Sequence, residues 1–253
     1  MSGLLRPLVM RGALPLAQVA QGVWRVQGNP GRCNVYFIEE GDRVVQFDAG
    51  GRMMLDDVRD AVTRLAPLRC VVLGHGHTDH RGTAPFLDTP VLCHPDEVED
   101  ATGSGGFRYW GRDLARVPQP LRFLHREILH PRFWDGGPIK VADTLQEGDE
   151  IAGFRVVHLP GHAPGQFALF READGTALTT DVFYSIDEWG RDTDPHIPDD
   201  YWNLDTELAR ESLRKLSELP LRRALPGHGD PLEGDLGRIL RTGLAGPGPG
   251  STR

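Results

Sequence analysis

Residues 74–80 read GHGHTDH, and they are the most informative residues of the chain. They follow a short apolar run that predicts a buried strand. Burying their three imidazoles and one carboxylate together is unfavourable unless a cation joins them. His75 and His77 are two residues apart, so in an extended chain their side chains point the same way and can share one ion. Asp79 and His80 face differently and could serve a second ion, so the spacing alone suggests two metals.

Further candidate ligands stand where later strands are predicted to end. Two Pro-Gly-His triplets present His162 and His228, because the proline stops a strand and the glycine supplies a tight turn. Asp181 directly follows the predicted strand Ala177–Thr180. Each of these residues alone is best interpreted as an ordinary loop residue. Together with residues 74–80, they favour a metal site.

This set of residues resembles a known family. The pattern His75-x-His77-x-Asp79-His80, followed by His162, Asp181 and His228, resembles the metallo-β-lactamase superfamily over residues 22–229. The resemblance implies an α/β fold, namely an αββα sandwich of two mixed β-sheets flanked by helices. It also implies a two-metal site along one edge of the sheets.

The resemblance implies a role for each candidate ligand. One ion would be held by His75, His77 and His162. The other ion would be held by Asp79, His80 and His228. Asp181 would bridge the two ions, and Asp48, in the turn FDAG, would orient a ligand imidazole.

The ligand chemistry leads to an expected reaction. Imidazoles and carboxylates without cysteine suit two divalent ions, zinc first, with iron or manganese as alternatives. Two such ions can trap a hydroxide between them at neutral pH. We therefore expect a metallo-hydrolase that uses this bridging hydroxide on an ester, lactone or thioester carbonyl. The alternatives are a mononuclear iron persulfide dioxygenase and a metal-binding scaffold without turnover.

Two residues are candidates for catalysis beyond simple ligation, Asp79 and Tyr184. The sequence DVFY at 181–184 resembles the DxxY of acyl-homoserine lactonases, in which the tyrosine hydroxyl points at the substrate carbonyl. The resemblance as a whole is to a glyoxalase II-like or lactonase-like branch, and this motif supports its lactonase-like side. Plain packing of the Tyr184 ring is the alternative interpretation.

Composition limits the partners. The chain has 253 residues and a formal charge of -8, which argues against a nucleic-acid partner because phosphate binding needs a basic face. No apolar run of membrane-spanning length and no signal peptide is found, so we expect no membrane partner. Three widely spaced cysteines suit the cytoplasm. The expected partner is a small-molecule substrate, with a homodimer left open.

The chain predicts one domain over residues 1–242 and a disordered tail over 243–253. An insertion at about 103–142 is rich in arginine and aromatic residues, and it is equally well interpreted as a substrate lid or as a surface excursion or dimer contact. Strands are predicted at 23–26, 33–39, 43–47, 70–73, 90–93, 154–159, 167–171, 177–180 and 221–225. Helices are predicted at 52–65 and 96–100 and around residues 204–216, the last capped by Asp205 or Thr206.

Overall fold

The structure is a computed structural model, and it describes residues 14–28, 31–103, 105, 133–187 and 189–245. The strands of this part of the chain form two large sheets and one small hairpin. The first sheet runs in chain order through β1 Leu16–Ala20, β2 Val23–Gly28, β3 Cys33–Glu40, β4 Arg43–Phe47, β5 Leu68–Val72, β6 Val91–Cys93 and β7 Val141–Thr144. Strands β1 to β4 pair antiparallel and β4 to β7 pair parallel, so this sheet is mixed.

The second sheet is also mixed. Its strands, in spatial order, are β8 Glu150–Ile151, β9 Phe154–His158, β10 Phe167–Arg171, β11 Thr176–Thr180, β14 Arg223–Pro226 and β15 Leu232–Glu233. Only β11 and β14 pair parallel within it. The separate hairpin consists of β12 Tyr184–Ile186 and β13 Asp192–His196.

Helices cover the outer faces of the sandwich. The α-helices of the described residues are α1 Leu55–Arg64, α2 Thr78–Arg81, α3 Val98–Thr102, α4 Thr206–Ser217 and α5 Leu236–Thr242. Short 3-10 helices occupy Arg52–Met54, Ala84–Phe86, Pro95–Glu97 and Gly243–Ala245. The side chain of Asp205 caps α4 by accepting a hydrogen bond from the backbone N–H of Leu208 at 3.0 Å.

Strand β3 shows how the layers are built, because it is buried on both faces. Tyr36 and Ile38 contribute to the core between the two sheets. The alternate residues Val35 and Phe37 pack on the opposite face, with Val58 of α1. Alternate side chains of β3 therefore face the second sheet and α1, and α1 forms one outer helical layer.

Strand β10 of the second sheet is also buried on both faces. Leu169 points into the core between the sheets. Ala168 and Phe170 point outward and pack with Leu213 of α4 and Leu240 of α5. The order of layers is thus helix, sheet, sheet, helix, and the predicted αββα sandwich of two mixed sheets is confirmed.

The parallel pairs determine where the functional residues meet. Strands β4 and β5 run together in the first sheet, and β11 and β14 run together in the second. The carboxyl ends of parallel neighbours lie at the same edge of a sheet, where ligands of open α/β sheets commonly bind. The segments carrying the candidate ligands leave the sheets at this edge.

Arg81, the last residue of α2, is fully buried and ties down the insertion. Its Nη1 donates to the carbonyls of Asp100 and Ala101, each at 2.6 Å. Its Nη2 donates to the carbonyl of Gly103 at 2.9 Å and to the carboxylate of Asp135 at 3.1 Å. One guanidinium group therefore holds the chain on both sides of residues 104–132.

Several predicted boundaries need correction. The helix expected over 52–65 begins as a 3-10 turn and becomes α-helical only at Leu55. The strand expected at 221–225 lies at Arg223–Pro226. The insertion expected at about 103–142 stays a prediction, because its residues 104 and 106–132 lie outside the described part; β7 begins at Val141. The tail expected from 243 begins with a 3-10 helix at Gly243–Ala245, and residues 246–253 lie outside the described part.

The elements that the sequence analysis missed are short or polar. They are β1, β7, β8, β12, β13, β15, α2, α5 and the 3-10 helix Ala84–Phe86. Strand β13, for example, reads DTDPH and carries no apolar alternation. Such strands form because a neighbouring strand offers hydrogen bonds, which a local pattern does not reveal.

None of the helices in the described residues has the length and apolar character needed to cross a bilayer.

Candidate metal centre

All seven residues proposed as ligands converge at the common edge of the sheets. His75 and His77 follow β5, Asp79 and His80 lie in α2, His162 follows β9, Asp181 follows β11 and His228 follows β14. Every one of them except Asp79 is buried. The chain thus brings residues separated by up to 153 positions into one cluster, as the resemblance implied.

Three imidazoles form the first cluster, which consists of His75, His77 and His162. Their candidate ligand atoms all lie within 4.8 Å of one another. His162 Nε2 lies 3.0 Å from His77 Nδ1. Burial lowers the pKa of His75 and of His77 well below the usual value, and the neighbouring imidazoles add to this effect. These rings are therefore neutral, which is the form that binds a metal.

The second cluster consists of Asp79, His80 and His228. His80 Nε2 lies 3.2 Å from His228 Nε2. Asp79 Oδ2 lies 3.4 Å from His228 Nε2 and 3.9 Å from His80 Nε2. The Asp79 side chain is 27% exposed, so this cluster opens to solvent at that carboxylate.

Asp181 lies between the two clusters. Its Oδ2 is 3.3 Å from His80 Nε2 and 3.6 Å from His228 Nε2. The same oxygen is 3.6 Å from His162 Nε2 and 3.9 Å from His75 Nε2. Burial alone would raise the pKa of Asp181, but His80 and His228 lower it well below the usual range. An ionised carboxylate therefore sits where it can contact ions held by either cluster.

Divalent cations fit this set of residues. His75 Nε2 and Asp181 Oδ1 are buried and have no hydrogen-bond partner among the described residues, and such atoms are costly unless something else satisfies them. Burial would lower the pKa of His80, yet Asp181 and Asp48 raise it well above its usual value. The carboxylates thus favour positive charge at the centre of the cluster, which a cation would supply.

In four of the histidines, the ring nitrogen that faces away from the cluster contacts another protein group, and this contact fixes the orientation of the ring. Their partners are Thr180 Oγ1 for His75 at 2.9 Å, Asp48 Oδ2 for His80 at 3.0 Å, Asn203 Oδ1 for His162 at 3.3 Å and Gly31 O for His228 at 2.7 Å. All four contacts are made by Nδ1, which leaves Nε2 facing the cluster. Such partners orient ligand imidazoles and raise their basicity.

Sequence reasoning found one of these four partners. Asp48 was expected, and its other oxygen accepts a hydrogen bond from Gly74 N at 2.8 Å. Thr180 and Asn203 were missed. Thr180 could have been suspected because it directly precedes Asp181, whereas Asn203 lies 41 residues after His162 in no recognised motif.

Two of the supporting residues adopt a left-handed backbone conformation. The φ angles are 57° at Asp48 and 43° at Thr180. A β-branched residue in this region is a conformational outlier that costs roughly 1–3 kcal/mol. Both positions orient an imidazole, so the strain coincides with ligand positioning.

The phenol of Tyr184 belongs to this cluster and does not point into the sheet core. Its Oη donates to Asp181 Oδ2 at 3.0 Å. Its ring centroid lies 5.4 Å from that of His228 and 6.4 Å from that of His162. Burial and the nearby Asp181 raise the pKa of Tyr184 well above its usual value, so the phenol stays protonated and can donate a hydrogen bond.

Cys33 is buried, as expected of a small core residue, but it also borders the second cluster. Its Sγ donates to the carbonyl of Asp79 at 3.2 Å and lies within 4.8 Å of ligand atoms of His80 and His228. Burial raises the pKa of the Cys33 thiol. The sequence analysis missed this position, because nothing near residue 33 indicates a metal.

Another group of potential ligands, His94, Asp96 and His158, also has its ligand atoms within 4.8 Å of one another. The rings of His94 and His158 stack 4.3 Å apart at an interplanar angle of 7°. Parallel rings direct their nitrogen lone pairs in parallel, not at a common point. His94 Nδ1 already accepts a hydrogen bond from Asp96 N at 3.2 Å, so this geometry favours structural roles for both histidines.

Comparison with known proteins assigns the family. A family model described as the metallo-beta-lactamase superfamily matches residues 28–228. The chain belongs to the metallo-beta-lactamase superfamily. All seven candidate ligands of this superfamily member lie within the matched residues.

Curated relatives of this superfamily chain include hydrolases. It is 28% identical over 232 residues to a probable metallo-hydrolase, YflN, from Bacillus subtilis, covering 84% of this chain and 86% of the relative. It is also 28% identical over 219 residues to the acyl-coenzyme A thioesterase MBLAC2 from Gallus gallus, covering 78% of this chain and 72% of the relative.

A solved structure with the superfamily fold is the di-iron-bound form of TTHA1623. It is 29% identical and superimposes with a TM-score of 0.59, covering 86% of this chain and 97% of that chain. That protein therefore holds two metal ions in this fold.

Proposed function

We propose that this protein is a two-metal hydrolase that cleaves an ester, a lactone or a thioester. One observation carries the proposal, which is the placement of Asp181 Oδ2 within 3.3 to 3.9 Å of imidazoles from both clusters. A carboxylate shared in this way suits a pair of ions, one held by each cluster. Zinc is the first candidate, with iron or manganese as alternatives, because all three accept imidazole and carboxylate ligands.

The reaction would combine bound metal with groups of the protein. Divalent ions at such a site polarise a carbonyl and bring the pKa of a water near neutrality. Asp79 is the most exposed of the candidate ligands, so substrate would approach past it. Because His80 and His228 outweigh burial and lower the pKa of Asp79, this carboxylate is ionised and can contact a metal or accept a hydrogen bond.

Tyr184 would assist as a hydrogen-bond donor. Its hydroxyl reaches the centre of the cluster, as the 3.0 Å bond to Asp181 shows. A neutral phenol at this place can donate to the carbonyl oxygen of a substrate as negative charge develops there, provided that its single proton turns from Asp181 to the substrate. A thioester is the first substrate to test, because the relative MBLAC2 is an acyl-coenzyme A thioesterase.

Metal content and a substrate panel test the proposal. Elemental analysis of protein purified without chelator should approach two ions per chain, because each cluster offers its own set of ligands. Chromogenic thioesters, lactones and aryl esters should show turnover that chelator abolishes and zinc or manganese restores. A single ion after reconstitution would contradict the two-metal site and favour the dioxygenase. Two ions without turnover on any substrate would favour a non-catalytic scaffold.

The Tyr184→Phe variant should lose turnover and keep its metals. Only the hydroxyl is removed, so the ring can still pack against His228. Loss of one oxyanion donor costs about 2.7–4 kcal/mol, or on the order of a hundredfold to a thousandfold in kcat. We accept a loss of about tenfold as support, because a donor that acts alongside a metal contributes less than one that acts alone. Steady-state kinetics and metal analysis of both proteins measure this.

Tyr36→Phe is the matched control for that variant. It also removes a buried phenol hydroxyl, which here donates to the carbonyl of Pro226 at 2.6 Å. Its expected effect is a lower free energy of unfolding by about 1 kcal/mol, with kcat of the folded protein preserved. Unchanged kcat in Tyr184→Phe would limit Tyr184 to packing, and hydrolysis without a tyrosine donor would be the better description.

A further inference from the structure

Glu97 is a fully buried glutamate outside the set of seven candidate ligands. It lies at the end of the 3-10 helix Pro95–Glu97, which follows β6 at the edge of the first sheet. Its Oε2 accepts a hydrogen bond from Gly76 N at 2.6 Å. Its Oε1 accepts one from Gly165 N at 2.7 Å. A single carboxylate therefore joins two separate loops.

These two loops carry every histidine of the first cluster. Gly76 lies between His75 and His77, and Gly165 lies three residues after His162. The second cluster is attached differently, through α2 and the segment after β14. Glu97 is thus placed to fix the distance between the loops of one cluster and not of the other.

Both amides that Glu97 binds belong to glycines, and the space around them explains why. A Cβ on Gly76 would lie 3.0 Å from Glu97 Oε2 and 2.9 Å from Asp100 Cβ. A Cβ on Gly165 would lie 3.0 Å from Glu97 Cγ and 2.7 Å from His94 Nδ1. Neither glycine has a left-handed φ. The close approach of the loops to Glu97 and its neighbours therefore explains why glycine occupies both positions. This explanation does not depend on the hydrogen bonds.

We propose that Glu97 is a positioning residue that sets the affinity of the first metal cluster by clamping its two loops together. The inference rests on the proposed two-metal function and deepens it by assigning one structural residue to one ion. A buried carboxylate that accepts two backbone hydrogen bonds holds its partners more firmly than a neutral group does. Replacing it by an amide turns one acceptor into a donor that faces an N–H group.

The effect should be specific to one site. In Glu97→Gln, one loop loses its acceptor and moves, so His162 no longer meets His75 and His77 at the same distances. Loss of supporting contacts around a ligand set typically costs about 10- to 100-fold in metal affinity. Asp48→Asn should instead weaken metal binding at the second cluster, because Asp48 contacts the His80 imidazole of that cluster directly.

The experiment measures each site separately. In the background His228→Ala the first cluster and Asp181 remain, and in the background His162→Ala the second cluster and Asp181 remain. Chelator-stripped protein of each background, with and without Glu97→Gln, is titrated with Zn²⁺ against a chromogenic chelator. We expect Glu97→Gln to weaken Zn²⁺ binding about 10- to 100-fold in the His228→Ala background only. Asp48→Asn should weaken binding in the His162→Ala background.

Thermal unfolding of the metal-free proteins separates positioning from general damage. A lower Tm with equal losses of affinity in both backgrounds would overturn the inference, as would unchanged affinity of the first cluster. If Glu97→Gln does not fold, Glu97→Asp takes its place in the same comparison, because it keeps the charge on a shorter side chain. A native chain that binds no Zn²⁺ would overturn the proposed function itself. Two bound ions with an unaffected first cluster would overturn only the role of Glu97.

Discussion

The Asp181→Ala variant is expected to lose hydrolysis to the background level and to retain at most one of its two ions. Asp181 Oδ2 is the one carboxylate oxygen within 4 Å of both imidazole clusters among the described contacts. Without it, two cations would face each other at short range with no protein carboxylate to offset their repulsion, and one of them should leave. The fold should persist, because the core between the sheets is formed by other residues. Elemental analysis and kinetics on the best substrate of the panel measure both effects.

Two further variants sharpen this test. Asp181→Asn keeps the volume of the side chain and removes its charge, so it should lose the same ion without any change in packing. Asp42→Ala, in the exposed turn between β3 and β4, removes a carboxylate far from the cluster and should change neither metal content nor turnover. If Asp181→Ala keeps two ions and near-native turnover, Asp181 does not bridge the metals.

The Gly227→Ala variant is also expected to lose hydrolysis and metal, because its new side chain displaces the carboxylate of Asp181. A Cβ at position 227 would lie 2.1 Å from Asp181 Oδ1, 2.9 Å from His80 Cε1 and 3.0 Å from the backbone of Thr180. Gly227 does not have a left-handed φ, so the substitution acts through space alone. The carboxylate must move away from its position between the clusters. We expect metal loss, turnover near background, and a free energy of unfolding lowered by about 1–3 kcal/mol.

Gly41→Ala is the control for a glycine substitution as such. Gly41 has a φ of +64°, and a Cβ added there would meet nothing within 4 Å. An alanine at this position strains the backbone by roughly 1–2 kcal/mol without touching the cluster. Its stability should fall while its metal content stays the same. Gly227→Ala with a full complement of metal and native kcat would show that the carboxylate position is not critical.

The sequence allowed prediction of the ligands because their information is local. Residues 74–80 place several ligands in one short stretch, and the Pro-Gly-His triplets place His162 and His228 directly after strands. The apolar periods of β3 and α1 likewise predicted a strand and a helix, since each buries a face in the core. What could be derived in this way is the list of candidate ligands and the positions of the longer elements, whereas the order of layers was implied by the resemblance to the family.

The contacts that support the ligands could not be derived in the same way. Glu97 meets Gly165 across 68 positions, and Asn203 meets His162 across 41. These hydrogen bonds form only when the sheets pack together, so no spacing of residues along the chain predicts them. Thr180 is a different case, because its left-handed φ contradicts the usual preference of a β-branched residue. Local propensity fails there because the position serves the cluster.

The hydrogen bonds of Arg81 on both sides of residues 104–132 affect how the protein tolerates changes in the length of this segment. Gly103 and Asp135 both bind one guanidinium group, so the described residues on the two sides of this segment are held at a single point. Extending a closed loop is inexpensive, at about 0.6 kcal/mol for each doubling of its length. Arg81 directly follows His80, so the residue that holds both ends is the neighbour of a candidate ligand. A change in the length of chain between these two anchors is therefore expected to cost little stability while Gly103 and Asp135 stay bound to Arg81.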